Sequence, residues 1–199
     1  GPPPPPRWVE QPLGRITGEY MNARAEPSTD ADITTQLYQD DVVRVRRVVQ
    51  GQTVWLHNDL WLETRHGYLY SSFVQPMWYH LPQPPRNDLG SGKWAEIIAP
   101  YSDAYWDPDS RNPERRTDRM HYGAVFRVTE LVRGTDEQWW YKVQEIYQSY
   151  YLPAAHLRII PDTELAPISP DLGPREKRLE IDLTQQLLTA YERDVPVYR

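Results

Sequence analysis

Tyr68-Leu69-Tyr70-Ser71-Ser72-Phe73-Val74 recurs in altered form 83 residues downstream, as Tyr151-Leu152-Pro153-Ala154-Ala155-His156-Leu157. The same shift lays Asp40-Asp41-Val42-Val43-Arg44-Val45 on Gly123-Ala124-Val125-Phe126-Arg127-Val128, and Gly51 on Gly134. It fails near Trp61, so loop lengths differ between the copies. Self-similarity at a fixed period marks a repeated supersecondary unit, and here it implies two diverged copies of one small module. Within each copy the apolar runs are short and β-branched or aromatic, as in Trp61-Leu62-Glu63-Thr64 and Trp140-Tyr141-Lys142-Val143. Gly, Asp, Asn and Ser separate them, the pattern of a small all-β barrel or sandwich. No stretch supports a helix longer than one or two turns.

Composition agrees. The chain has 199 residues, of which 20 are Pro, 14 Tyr and 8 Trp against only 2 Phe. Proline at this level disfavours helical bundles. Tyr and Trp carry a polar handle and suit half-wet surfaces. An apolar fraction of 39 % with a mean hydropathy of -0.75 is thin for one large core, so several shallow domains fit better. A net charge of -6 argues against a general nucleic-acid binder, which needs a basic face. The arginines of Arg44-Val45-Arg46-Arg47 read as a solvated strand face. No run of apolar residues is long enough to span a membrane, and no basic and apolar signal segment is visible. The abrupt opening, Gly1 and five prolines, reads as a chain trimmed just after a signal or anchor.

Proline clusters divide the chain. They give a proline-rich linker at 1–14, a first barrel at 15–77, a linker at 78–93, a second barrel at 94–162, a linker at 163–174 and a tail at 175–199. In the tail, Leu179, Ile181 and Leu183 alternate with Arg178, Glu180 and Asp182, the period of a strand with one apolar face. Thr184-Gln185-Gln186 turns it, Leu187 to Tyr191 returns, and Arg193-Asp194 turns again into Val195-Pro196-Val197-Tyr198. Such a meander is marginal in isolation, so it must pack on a barrel, pair with another chain or belong to a larger domain.

Tyr20-Met21-Asn22-Ala23-Arg24-Ala25-Glu26-Pro27-Ser28, Val42 to Val45, Trp61-Leu62-Glu63-Thr64 and Gly67 to Val74 occur in the order of four motifs of bacterial SH3-type (SH3b) domains, and the first block resembles that family over about residues 16–76. The second block is a degenerate relative. Ala104-Tyr105-Trp106-Asp107-Pro108 stands where Asn-Val-Arg is expected, and 109–119 reads as an enlarged loop. The tail, Lys177-Arg178-Leu179-Glu180-Ile181-Asp182-Leu183, resembles the opening strand of the L,D-transpeptidase catalytic domain of bacterial cell-wall enzymes. Together the resemblances imply all-β architecture: two SH3-like barrels in tandem, then the first strands of a truncated catalytic domain. They imply a peptidoglycan-binding or positioning arm, placed outside the bacterial cytoplasm, whose partners are peptidoglycan and the absent catalytic domain. The alternatives are a purely structural spacer, or a peptide- or glycan-binding module of another cell-wall enzyme.

That family attacks stem peptides through a cysteine held in a Ser-His-Gly-Cys motif, with a preceding His-Gly. This chain has no cysteine and neither motif, so as it stands it is not expected to catalyse that reaction. His57, His66, His80, His121 and His156 lie far apart without metal-ligand spacing. Asp103, Asp107 and Asp109 lack the glycine and distal Glu of a calcium loop. Asp40-Asp41 and Glu26 make an unconvincing glycosidase pair. No cofactor or metal is expected. The candidates for ligand contact are aromatic: Tyr20, Trp61, Tyr68 and Tyr70 in the first copy, and Tyr105, Trp106, Trp139 and Tyr151 in the second. The competing reading is that most of these plug the ends of small barrels.

Overall fold

The computed structural model describes residues 13–55, 58–78, 80–81, 83–185 and 187–198. The expectations for Pro2 to Pro6, His57, Pro82 and Gln186 lie outside the described residues. Among the described residues the chain is all-β, with single-turn 3₁₀ helices as its only helical segments. None of these is long and apolar enough to cross a membrane. Among the described residues, those from Leu13 to Ile160 form one compact unit, and those from Pro161 onward form another.

The first unit holds two strand groups. The first comprises β1 (Leu13–Ile16), β2 (Tyr20–Arg24), β3 (Ile33–Tyr38), β4 (Val42–Arg44), β5 (Arg47–Trp55), β6 (Asn58–Thr64), β7 (Gly67–Tyr70) and β8 (Val74–Met77). They form a three-stranded sheet β4-β1-β8 and a five-stranded sheet β3-β2-β7-β6-β5. The second group comprises β9 (Lys93–Ile97), β10 (Tyr101–Tyr105), β11 (Arg116–His121), β12 (Val125–Arg133), β13 (Trp139–Gln144), β14 (Ser149–Pro153) and β15 (Leu157–Ile159). Its pairings repeat those of the first: β9 takes the place of β1, β10 of β2, and so on to β15 for β8. The one difference is at the crossing between sheets. In the first group the chain breaks at Val45-Arg46, so β4 and β5 are separate. In the second, β12 runs through with a bulge between Val128 and Glu130, and all seven strands form one sheet.

The expected closed barrels are not formed. Neither ladder returns to its first strand among the described residues. The edge strands β8 and β15 are short, and Pro76 in β8 has no N–H to extend a ladder. The first core instead lies between the group's two sheets: Ile16, Val43 and Val74 from one face Met21, Ala23, Leu37, Leu62 and Leu69 from the other. The alternation is visible in the sequence. In β10, Ser102 and Ala104 are fully buried while Tyr101, Asp103 and Tyr105 point outward.

Details match across the copies. Asp40 N donates to Ile16 O at 3.0 Å, and Gly123 N to Ile97 O at 2.9 Å. Asp40 and Gly123 both lie in the left-handed region, at φ +70 and +80. Only glycine enters that region freely, with Asn and Asp next. A Cβ on Gly51 would meet Pro27 O at 2.3 Å and Trp61 Cδ1 at 2.7 Å; one on Gly134 would meet Pro108 O at 2.3 Å and Trp140 Nε1 at 2.5 Å. Each glycine therefore lets a proline turn close over the buried tryptophan. Trp61 Nε1 donates to Gln52 O at 2.9 Å, and Trp140 Nε1 to Asp136 Oδ1 at 3.0 Å. Burial pushes the Asp136 carboxyl up. Hydrogen bonds from the Ser110 and Gln138 N–H groups, the Trp140 indole and the Ser110 hydroxyl outweigh it and hold the group at about 2.

Three boundaries differ from the expectation. Leu13 and Gly14, assigned to a linker, are already in β1. The segment 109–119 is not all loop, because Arg116 to His121 alternates and pairs with β10. Asp103-Ala104-Tyr105, rather than the stretch one residue later, overlies Asn22-Ala23-Arg24, since Tyr105 pairs with Tyr151 as Arg24 pairs with Tyr68. The 78–93 linker is tied down: Leu89 is buried in the second core, and the Arg86 N–H and C=O both bond the Tyr141 hydroxyl.

The second unit carries β16 (Lys177–Asp182), β17 (Leu187–Glu192) and β18 (Val195–Tyr198) in a meander, with the turns where the alternation placed them. Its apolar side is open to solvent: Leu179, Ile181 and Leu183 are 68 %, 63 % and 84 % exposed.

Candidate ligand grooves

On the first strand group β2 projects Tyr20, Asn22 and Arg24 outward, because Met21 and Ala23 are claimed by the core. These line a groove of about 400 Å³ with Trp61, Tyr70 and Phe73. Its floor is rigid. The Trp61 and Tyr70 rings pack 5.4 Å apart. The Tyr70 hydroxyl donates to Asn58 O and accepts from Trp55 N, at 3.0 and 3.1 Å. Trp61 and Tyr70 are therefore core residues whose edges form the floor, only 1 % and 5 % exposed. The walls are wet: Tyr20 is 59 % and Phe73 43 % exposed. Glu19, Asn22 and Arg24 give the rim polar groups of both kinds. The arrangement suits stacking against a peptide or sugar; no histidine is among its lining residues. Tyr68 sits half-buried against the first core.

The second group does not reproduce this groove with its own candidates. Tyr105 packs edge-on against buried Trp140 at 5.5 Å, and burial raises its hydroxyl pKa. Trp139 lies under the Arg133 guanidinium at 5.3 Å, and Trp106 is 38 % exposed. Tyr151 is half-buried in β14. A groove is lined instead by Trp94, Val125, Phe126, Ile146 and Tyr147, a set the sequence reading did not select.

A third cavity lies between the two strand groups. This cleft, of about 820 Å³, is lined by Gln75, Trp78, His80, Glu96, Arg119, His121, Tyr122 and Arg158. Tyr122 organises one wall. Its C=O accepts from Gln75 Nε2 at 3.0 Å, and its hydroxyl accepts from Trp78 N at 3.0 Å and lies 3.3 Å from His80 Nε2. Arg15 Nε holds the Gln75 amide at 2.9 Å. Beneath lies an ion network anchored on the buried pair Arg15 and Asp40. Asp40 receives Arg15 Nη1 at 2.7 Å and Arg119 Nη1 at 3.0 Å, with His121 Nε2 at 3.6 Å. Arg119 also donates to Asp103 at 2.8 Å and lies over the Tyr101 ring at 3.9 Å. Asp103 first, then Asp40, hold its guanidinium firmly protonated. On the far side Arg158 Nη2 donates to Glu96 Oε2 at 2.7 Å. The one available signal was a Trp and a His inside a supposed linker, Trp78 and His80.

The acidic alternatives are accounted for. Asp40 is spent on two arginines, and Asp41 Oδ2 accepts from Tyr38 N. Asp103, Asp107 and Asp109 face Arg119, Arg115 and Arg111. Ser102 Oγ lies 2.9 Å from His156 Nδ1, a nucleophile–base spacing, but Ser102 is fully buried and no substrate reaches it. Burial lowers the His156 pKa. The unfolded chain then binds this proton more readily than the folded one, so His156 costs stability as pH falls through the ordinary histidine range. The melting temperature is expected to drop between pH 7 and pH 5, with a shallower drop in His156→Gln, measured by circular dichroism.

No family model matches the sequence, and no curated protein does. Among solved structures, the chain is similar to NlpC2 from Trichomonas vaginalis, at a TM-score of 0.27 and 11 % identity over 75 % of this chain and 48 % of that one. NlpC1 from the same organism gives a TM-score of 0.27 and 11 % identity, over 75 % and 46 %. The chain thus spans about half the length of these proteins. Likeness at this level assigns neither fold nor activity.

Proposed function

We propose that this chain is the non-catalytic, cell-wall-binding or positioning arm of a peptidoglycan L,D-transpeptidase, held outside the bacterial cytoplasm. In this reading its two strand groups are tandem SH3-type modules, and its tail is the opening of the catalytic domain. The observation that carries it is the groove of the first group. A locked Trp61–Tyr70 floor and exposed Tyr20 and Phe73 walls form a preorganised stacking site with a mixed polar rim. The matched pairings of the two groups and the strand boundaries of the tail support it further. The Asp40–Arg119 contact, which joins one group to the other, favours the spacer role as the second reading.

Co-sedimentation with insoluble peptidoglycan separates the two. The chain is expected to pellet above a bovine albumin control, and Tyr20→Ala is expected to lower the bound fraction severalfold. Tyr20 is exposed, so the substitution changes stability by no more than about 0.5 kcal/mol. Retention no better than albumin would reject wall binding and leave the spacer.

A further inference from the structure

The cleft between the strand groups is a second ligand site, distinct from the Tyr20 groove, and we infer that it takes an uncharged, hydroxyl-rich saccharide. Its size falls within the range of small-molecule sites. Its chemistry narrows the ligand. Each guanidinium group at and under the cleft, Arg15, Arg119 and Arg158, is already paired with a carboxylate, from Asp40, Asp103 and Glu96, and Asp103 also lies 3.7 Å from Arg116. An anionic ligand such as a phosphate would have to compete with these carboxylates for every guanidinium. Of the edge strands that line this cleft, β8 carries Pro76, which cannot donate to an added strand.

What remains fits a sugar. Trp78, 41 % exposed, gives an aromatic face for the C–H side of a pyranose ring. Gln75, His80, Glu96 and Arg158 bring planar groups that donate and accept, as hydroxyls require. These groups are already positioned by bonds to one another, through Arg15–Gln75–Tyr122–His80 and Arg158–Glu96. Little ordering is therefore left to occur on binding. The first copy offers no equivalent, because the site needs both groups.

The cell-wall reading sets the choice of test sugar, the neutral N-acetylated oligosaccharide chitotetraose. Titrated into the full chain, it is expected to shift the Trp78 indole resonance in ¹H–¹⁵N spectra and to give saturable heat in calorimetry. Trp78→Ala and His80→Ala are each expected to weaken binding at least tenfold, with Asp30→Asn, on an exposed turn away from the cleft, unchanged. Melting curves confirm folding, and Trp78→Phe is the fallback if the alanine variant unfolds, with binding expected to be retained. No heat and no indole shift at millimolar sugar would overturn the inference, as would binding indifferent to both cleft substitutions. Peptidoglycan retention without chitotetraose binding would overturn this inference alone and leave the wall-binding arm standing.

Discussion

Asp40→Asn is expected to lower the unfolding free energy of the chain by about 3 kcal/mol, although it alters one atom of the side chain. Asparagine keeps the shape and tolerates the left-handed backbone that Asp40 occupies at φ +70, so turn strain is not the cause. What is lost is the charge between Arg15 and Arg119. The Arg15 and Asp40 side chains are 7 % and 5 % exposed, so water cannot replace the missing carboxylate. Removing one partner of a buried pair costs far more than the pair itself contributes, because an uncompensated charge remains. Urea titration at pH 7 reads the effect. Asp30→Asn, on an exposed loop, serves as the control and is expected to change stability by less than about 0.5 kcal/mol. Asp40→Asn and Arg119→Gln share one contact and are expected to be clearly non-additive. A loss below about 1 kcal/mol in Asp40→Asn would mean that the network does not hold the two groups together.

Gly134→Ala is expected to cost a similar amount, about 3 kcal/mol, for a steric reason. The added methyl would sit 2.3 Å from Pro108 O and 2.5 Å from Trp140 Nε1. One of these is backbone and the other belongs to a fully buried ring, so neither yields cheaply. Relief requires opening the Pro108 turn or displacing Trp140 from Asp136. Gly51→Ala meets the same geometry at Pro27 and Trp61 and is expected to match it. Because the two glycines serve separate cores, the double substitution is expected to be additive. Near-ultraviolet circular dichroism should lose the tryptophan signal of the affected group. A Gly134→Ala protein with unchanged melting would show that the proline turn is not closed over the ring.

The repeat was legible because its markers are local. Gly51 and Gly134, and the pair Asp40 and Gly123, sit at positions whose backbone needs restrict the residue type. The tail was legible because strict alternation fixes both strand and turn. Three of the aromatic candidates, Tyr20, Trp61 and Tyr70, do meet in one groove, but periodicity could not say which are wall and which are floor. The cleft was not legible. Its key contact joins residues 79 apart, and neither Asp40 nor Arg119 belongs to a motif that announces a partner. The 78–93 segment reads as a spacer by composition, yet Leu89 and the Tyr141 hydroxyl tie it down.

The joint between the groups has a direction. The first group supplies the carboxylate at its left-handed turn, and the second supplies the guanidinium from β11. The reverse pieces are missing: the matching turn of the second group is Gly123, and the β3 residue matching Arg119 is Gln36, paired with Asn22 as Arg119 is with Asp103. A head-to-tail contact of this kind would, if both halves were present on every module, propagate into an open-ended chain. Here each module keeps one half of the coupling, so this contact joins one pair and does not repeat from module to module. Exchanging the order of the modules, or appending a third, would bring a glycine or a glutamine to a socket built for an ion pair.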